Sequence, residues 1–239
     1  MANEHNFNGK AQFYNSRPTY PQECIDYLID KFGLCSDSVV ADIGAGTGIL
    51  TKPFLDFGCS VYAVEPNEDM FFELAKNLSR YPSIIPSKTS AEKTDIPTLS
   101  CDAVIVGTAF HWFDKGKFRT ECERILKNKQ YIAILRIANN SDADKRIEEI
   151  KHYSEQDLND AKEFFGKGFI EHVRFDYTQF FDEERYINNL LSSNSAPLPN
   201  ESNFDEYVSR CKVVFNKYFG NGLAELPFAV NCYIGRLDT

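Results

Sequence analysis

Asp42 ends the apolar run Val39-Val40-Ala41, and three glycines follow at alternate positions, Gly44, Gly46 and Gly48. A short apolar run of this kind reads as a buried parallel strand. The glycines let the backbone turn sharply and come close to a ligand. A second apolar run, Ser60-Val61-Tyr62-Ala63-Val64, ends in Glu65, 23 positions after Asp42. In nucleotide-type α/β folds an acid about 20 residues downstream, at the tip of the second strand, accepts hydrogen bonds from ribose hydroxyls. Strand, glycine turn, helix, strand and acid together predict a cofactor site.

The glycine spacing narrows the ligand. A dinucleotide fingerprint needs a small residue three positions after its second glycine, where pyrophosphate rests on the helix N-terminus. Counted from Gly44 and Gly46, that position is Ile49, which disfavours a NAD(P)-dependent oxidoreductase. Lys52 is followed by Pro53, and no Gly-Lys-Ser/Thr occurs, so a phosphate loop is also absent. The pattern Asp-x-Gly-x-Gly-x-Gly resembles the first motif of class I S-adenosylmethionine-dependent methyltransferases. That resemblance implies a doubly wound, Rossmann-like, mostly parallel sheet of seven strands, with the glycine turn against the methionine part of S-adenosyl-L-methionine.

Other segments are similar to the same family. Ser90-Ala91-Glu92 stands where its adenine-contacting loop follows the third strand, with Asp95 and Ile96-Pro97 behind. Gly107-Thr108-Ala109-Phe110-His111-Trp112-Phe113-Asp114 resembles a segment of a small-molecule subgroup that includes trans-aconitate methyltransferase. Tyr14 to Pro21 and the stretches Leu190–Ser195 and Tyr233–Arg236 resemble that subgroup too. The implied cofactor set is Tyr14, Arg17, Asp42, Gly44, Ala45, Gly46, Gly48, Glu65, Pro66, Met70, Ser90, Ala91, Glu92, Thr108 and Ala109. Residues 1–33 would cover the cofactor, with Arg17 on its carboxylate or capping a helix. Enzymes that methylate exocyclic amines of bases carry Asp/Asn-Pro-Pro-Tyr/Phe after the fourth strand, and Gly-Thr-Ala-Phe-His-Trp occupies that place here.

Methyl transfer from a sulfonium is an in-line displacement, so alignment and exclusion of water carry much of the catalysis. A base is needed only where the acceptor must lose a proton. His111, past the fourth strand, is the candidate catalytic base or acceptor-orienting residue, and equally a pocket wall beside Trp112. Arg136, near the end of the fifth strand, would either grip an acidic acceptor bidentately or pair with a helix acid. His111, Trp112 and Arg136 form the expected acceptor set. A small carboxylic acid oxygen is the first candidate acceptor, and carbon and nitrogen stay open. The alternative function is a non-catalytic, regulatory S-adenosylmethionine-binding protein.

The elements that must hold these residues follow from periodicity. Ile25, Leu28, Ile29 and Phe32 share one helical face, and Gly33 stops that helix. Leu50–Phe57 reads as a helix, and Asn67 caps another with the stripe Met70, Phe71, Leu74, Leu78. Strands are expected at Ser83–Lys88, Cys101–Gly107, Tyr131–Ile137, His172–Phe181 and Phe228–Ile234, with a helix from Asp114 between the second and third of these. Alternation through the first 140 residues predicts an α/β parallel sheet covered on both faces. Residues 139–169 read as a helical insertion, a lid after the fifth strand. Ser192–Pro199 is a loop by composition, followed by a helix carrying Tyr207, Cys211, Val214, Phe215 and Tyr218.

Composition predicts one domain spanning 1–239, with no linker inside it. A net charge of −9 argues against nucleic-acid or anionic-membrane partners and leaves a small-molecule substrate. Neither a basic-apolar leader nor a membrane-length apolar run is evident, which predicts a cytoplasmic protein. Seven cysteines without a C-x-x-C pair favour reduced thiols over disulfides or zinc, and no histidine spacing suits a metal. Oligomeric state is not readable.

Overall fold

The structure, a computed structural model, describes residues 7–139, 147–220 and 222–237, and their side chains apart from 128–130 and 147–154. The chain begins with a single turn, α1 (Ala11–Tyr14), and α2 (Gln22–Phe32), which Gly33 closes in the left-handed region at φ 63°. Then come β1 (Val39–Ile43), α3 (Thr51–Phe57), β2 (Ser60–Val64), α4 (Glu68–Asn77), β3 (Ile84–Ser87) and β4 (Cys101–Gly107). After these run α5 (Lys115–Ile125), β5 (Leu126–Asn139), α6 (Ile147–Phe165), β6 (Phe169–Phe181), α7 (Glu183–Leu191), α8 (Phe204–Phe219) and β7 (Ala224–Gly235).

All seven strands join one sheet in the order β3-β2-β1-β4-β5-β7-β6. The pairs among β1 to β5 are parallel, and β7 runs antiparallel between β5 and β6. Chain order reverses between β1 and β4, the switch point outside whose strand ends α/β sheets bind ligands. β3 is only four residues long and holds Pro86, which an edge strand tolerates because no ladder partner needs its N–H.

Both faces of the sheet are buried around β1 and β4. Leu28, Phe54 and Leu74 of α2, α3 and α4 pack with Val40, Val61 and Ile105 on one side. Phe118, Cys122 and Phe165 of α5 and α6 pack with Ile43, Val104 and Ile134 on the other. The inner strands β1 and β4 are mostly apolar because both their faces are covered.

The lid expected after the fifth strand is corrected in part. α6 connects β5 to β6, which run in the same direction, and such a connection needs a crossover helix. Ala161, Phe164 and Phe165 are accordingly buried on the sheet, and Phe165 fills the space beside Gly235. From Asp157 onward α6 is a sheet-covering crossover. Residues 140–146 of the expected insertion lie outside the described residues. The elements gathered over the strand tips come instead from the β6–β7 connection: α7 and α8 pack with Phe13 of α1 through Leu191, Phe204 and Cys211.

Candidate functional site

Two cavities meet at the C-terminal tips of β1 and β4. Both are lined by Tyr14, Gly44, Gly46, Gly107 and Thr108. The first runs under Glu65, Pro66, Met70, Ser90, Ala91, Glu92 and Ala109. The second, of about 500 Å³, runs from Arg17, Asp42, Ala45 and Thr47 to Arg136, Asp157, Asn189 and Asn231. Fourteen of the fifteen expected cofactor residues therefore line one cavity or both.

Gly48 is the exception. A Cβ there would sit 2.6 Å from Leu78 Cδ1, so this glycine serves the packing of α4. Gly44 is left-handed too, at φ 75°, but there a Cβ would come within 2.6 Å of Ala109 Cβ at the cavity wall. The β1 turn can approach the β4 tip only without a side chain at Gly44.

Glu65 is held by backbone. Gly46 N–H donates to Oε2 at 2.9 Å and Asn67 N–H to Oε1 at 2.8 Å. Burial pushes its pKa up, and these two donors pull it back. Asn67 also caps α4, its Oδ1 accepting from Met70 N–H at 3.1 Å. One short turn thus fixes both the acid and the start of the helix that carries Met70.

Asp42 is fully buried. Thr51 Oγ1 donates to its Oδ2 at 2.6 Å, while Oδ1 and the Thr47 hydroxyl are buried without a partner among the described residues. Burial raises the Asp42 pKa to about 7, against the pull of Thr51. Thr108 sits at φ 56°, a costly conformation for a β-branched residue. Its N–H donates to Leu135 O at 2.7 Å and its Oγ1 accepts from Ile137 N–H at 3.4 Å, so β5 holds the strained tip in place.

Arg17 lines the second cavity, with its guanidinium 4.4 Å from the Tyr14 ring centroid. Its Nε and Nη2 donate to Ser192 Oγ and O, each at 2.9 Å, so it ties the N-terminal segment to the end of α7. Buried Lys10 does the same one turn earlier, donating to the carbonyls of Ser193 and Ala196.

The expected acceptor set divides. Trp112 lines the Glu65 cavity, alongside Phe7 and Phe113, and so belongs to the other end of the site. His111 lines neither cavity, and Arg136 Nη1 lies 3.0 Å from its Nδ1. A guanidinium can only donate, so Nδ1 accepts and the neutral ring keeps its proton at Nε2. Desolvation and the Arg136 charge push the His111 pKa down to about 4. In this arrangement neither nitrogen has a lone pair free to take a proton, and the ring braces Arg136. Arg136 does line the second cavity, and its Nε lies 3.6 Å from Asp157 Oδ2. Burial raises the Asp157 pKa and Arg136 lowers it.

Sequence reading missed Asn231. It is buried in β7, and its Oδ1 pairs with His172 Nε2 at 3.0 Å, which leaves the carboxamide nitrogen as the group it offers the cavity. An asparagine inside the apolar run Phe228–Ile234 was the available signal. Asp157 was hidden in a charged helix. Among the described residues no cluster suits a metal ion, all seven cysteines are free, and no helix is long and apolar enough to cross a membrane.

Comparison with known proteins fixes what this arrangement is like. Residues 41–134 match the family model of a methyltransferase domain. The methyltransferase match begins in β1 and ends in β5, so it holds the glycine turn, Glu65 and Ser90–Glu92 but not the second cavity's far wall. An uncharacterized methyltransferase of Mycobacterium tuberculosis is 35% identical over 115 residues, 48% of this chain and 44% of that protein. A Dictyostelium discoideum relative named as a methyltransferase is 30% identical over 148 residues, 60% of this chain and 54% of that one. The chain thus spans about half the length of the curated relatives it matches.

Solved structures share the fold over nearly the whole chain. One from Anaeromyxobacter dehalogenans, named for a type II methyltransferase, superposes with a TM-score of 0.67 at 18% identity, covering 93% of this chain and 99% of that one. Haemonchus contortus phosphoethanolamine N-methyltransferase 2, with phosphomonomethylethanolamine and S-adenosylhomocysteine, gives 0.55 at 16% identity, covering 98% and 58%.

Proposed function

We propose that the protein is a class I methyltransferase that moves a methyl group from S-adenosyl-L-methionine to a small molecule. The observation that carries this reading is the Glu65 carboxylate, held by two backbone N–H groups at the tip of β2 and facing a cavity that continues past Gly44 to Asp42. The residues present fit the group. Glu65 can accept from ribose hydroxyls, and Ser90, Ala91 and Met70 can flank a base. Asp42 Oδ1 and Thr47 Oγ1 are buried polar atoms that want a partner at the other end.

When bound, S-adenosyl-L-methionine supplies an activated methyl on a sulfonium. The chain's own residues do the rest. Asp42, fully buried, favours a cationic ligand group, which would lower its raised pKa. Gly44 and Thr108 hold the narrow passage where the two cavities meet. Arg136 and Asn231 orient the acceptor through N–H donors, and Phe228 and Leu190 exclude water. His111 acts through Arg136, as a positioning residue. This donor-rich end suits an oxygen-bearing acceptor, and the small carboxylic acids of the trans-aconitate-like subgroup remain the first candidates. The Arg136–Asp157 pair compensates part of the charge that such an acid would use.

Isothermal titration with S-adenosyl-L-methionine and S-adenosylhomocysteine tests the donor half. Micromolar binding that weakens about tenfold or more in Glu65→Gln supports it, since a charged hydrogen bond contributes about 1.5–3 kcal/mol. No heat from folded protein would overturn it. Incubation with a metabolite panel, read as S-adenosylhomocysteine released, separates an enzyme from a non-catalytic binder.

A further inference from the structure

We infer that the free edge of β6 is the docking surface for a second copy of this chain, joined antiparallel about a two-fold axis through Phe175. β6 has a strand on one side only, and among the described residues nothing pairs with its other edge. It is 13 residues long, whereas β3 at the opposite edge has four and a proline. Long, uncovered edges are templates for pairing, and proteins usually shorten, bend or cover them. β3 follows that rule; β6 does not.

The side chains of β6 match a copy of themselves. Every even-numbered residue from Ile170 to Phe180 is exposed, so no helix covers that face of the strand. A two-fold perpendicular to the sheet keeps each face with its counterpart, which allows only registers that pair residues of the same parity. Centred on Phe175, the register sets Arg174 opposite Asp176 of the second copy, and Asp176 opposite its Arg174. It also sets Ile170, 44% exposed, opposite Phe180, 55% exposed, at both ends of the ladder. His172 meets Thr178, and no like charges face each other. Shifting the centre one residue either way puts Arg174 against Arg174 or Asp176 against Asp176, which is unfavourable. Within one chain the two already form an ion pair at 2.8 Å, so the joined strands would carry a closed ring of four charges.

Sedimentation velocity over a concentration series tests this on the full chain. The expected result is a dimer that Arg174→Asp weakens at least tenfold, because Asp would then face Asp, while circular dichroism shows the variant still folded. The double variant Arg174→Asp, Asp176→Arg restores opposite charges across the axis and should restore the dimer. A monomer at every concentration overturns the proposal. So does a dimer indifferent to Arg174→Asp, which would place the contact elsewhere, such as the exposed Val213 and Tyr218 of α8. Dissociation that the double variant fails to rescue overturns the register.

Discussion

The two ends of the site are built on different principles. Around Glu65 the polar groups come from short turns at neighbouring strand tips, and backbone N–H groups fix the acid. Around Arg136 they come from side chains far apart in sequence: Arg136 of β5 pairs with His111 and with Asp157 of α6, and Asn231 of β7 with His172 of β6. The first kind survives only if backbone can approach backbone closely. The second can be retuned one side chain at a time. A donor common to many reactions suits the first construction, and acceptors that differ suit the second.

The sharpest way to break this contrast is Gly44→Ala. Left-handed strain and a 2.6 Å approach to Ala109 should together cost about 2–5 kcal/mol in urea denaturation and remove donor binding in titration. A variant that kept both would show that the close approach is dispensable. Asn231→Asp should act only at the other end. Acceptor kcat/KM should fall about tenfold to a hundredfold, with donor Kd within twofold, the cost of a lost hydrogen bond to a charged or polar group. A parallel loss of donor affinity would merge the two ends into one.

Asp42 gives the donor end its own pH dependence of stability. Asp42 titrates at about 7 in the folded protein and near its ordinary 3.8 when unfolded. Between those values the native state holds a proton that the unfolded chain has released, so stability falls as pH rises, and it levels off above about 7. The slope from this one group is at most about 1.4 kcal/mol per pH unit. His111, held down to about 4, gives the opposite slope below its ordinary 6.5, so the Asp42 share is read as the difference in urea midpoints between wild type and Asp42→Asn from pH 5 to 8. Smallest is His111→Ala, which should lower kcat/KM by less than about tenfold and leave its pH profile in place. Loss of the hundredfold or more expected for a general base would return His111 to the chemistry.

The same contrast explains how much could be read beforehand. The glycine turn, Glu65 and Ser90-Ala91-Glu92 lie within one run of parallel strands whose apolar patterns announce them, and the cavity gathers them as expected. Gly48 misled because a glycine spared for Leu78 looks, in sequence, like a glycine spared for a ligand. Trp112 misled because the turn Phe110–Trp112 sends its side chain to Glu65 rather than to Arg136. Asp157 and Asn231 meet only once α6 and β7 are placed, and no local spacing encodes that meeting. Strand limits slipped for a simpler reason. β5, β6 and β7 extend through polar positions such as Asn139, Glu171 and Glu225, because ladder pairing continues where the apolar pattern stops.

Lys10 has a consequence of its own. Burial lowers the pKa of its ammonium, yet it stays in place because the carbonyls of Ser193 and Ala196 accept its hydrogen bonds. With Arg17 on Ser192, it fastens Tyr14, which borders both cavities, to the chain beside Asn189 and Leu190, which borders one. The two cavities therefore share one piece of wall, and Lys10 and Arg17 are what anchor it.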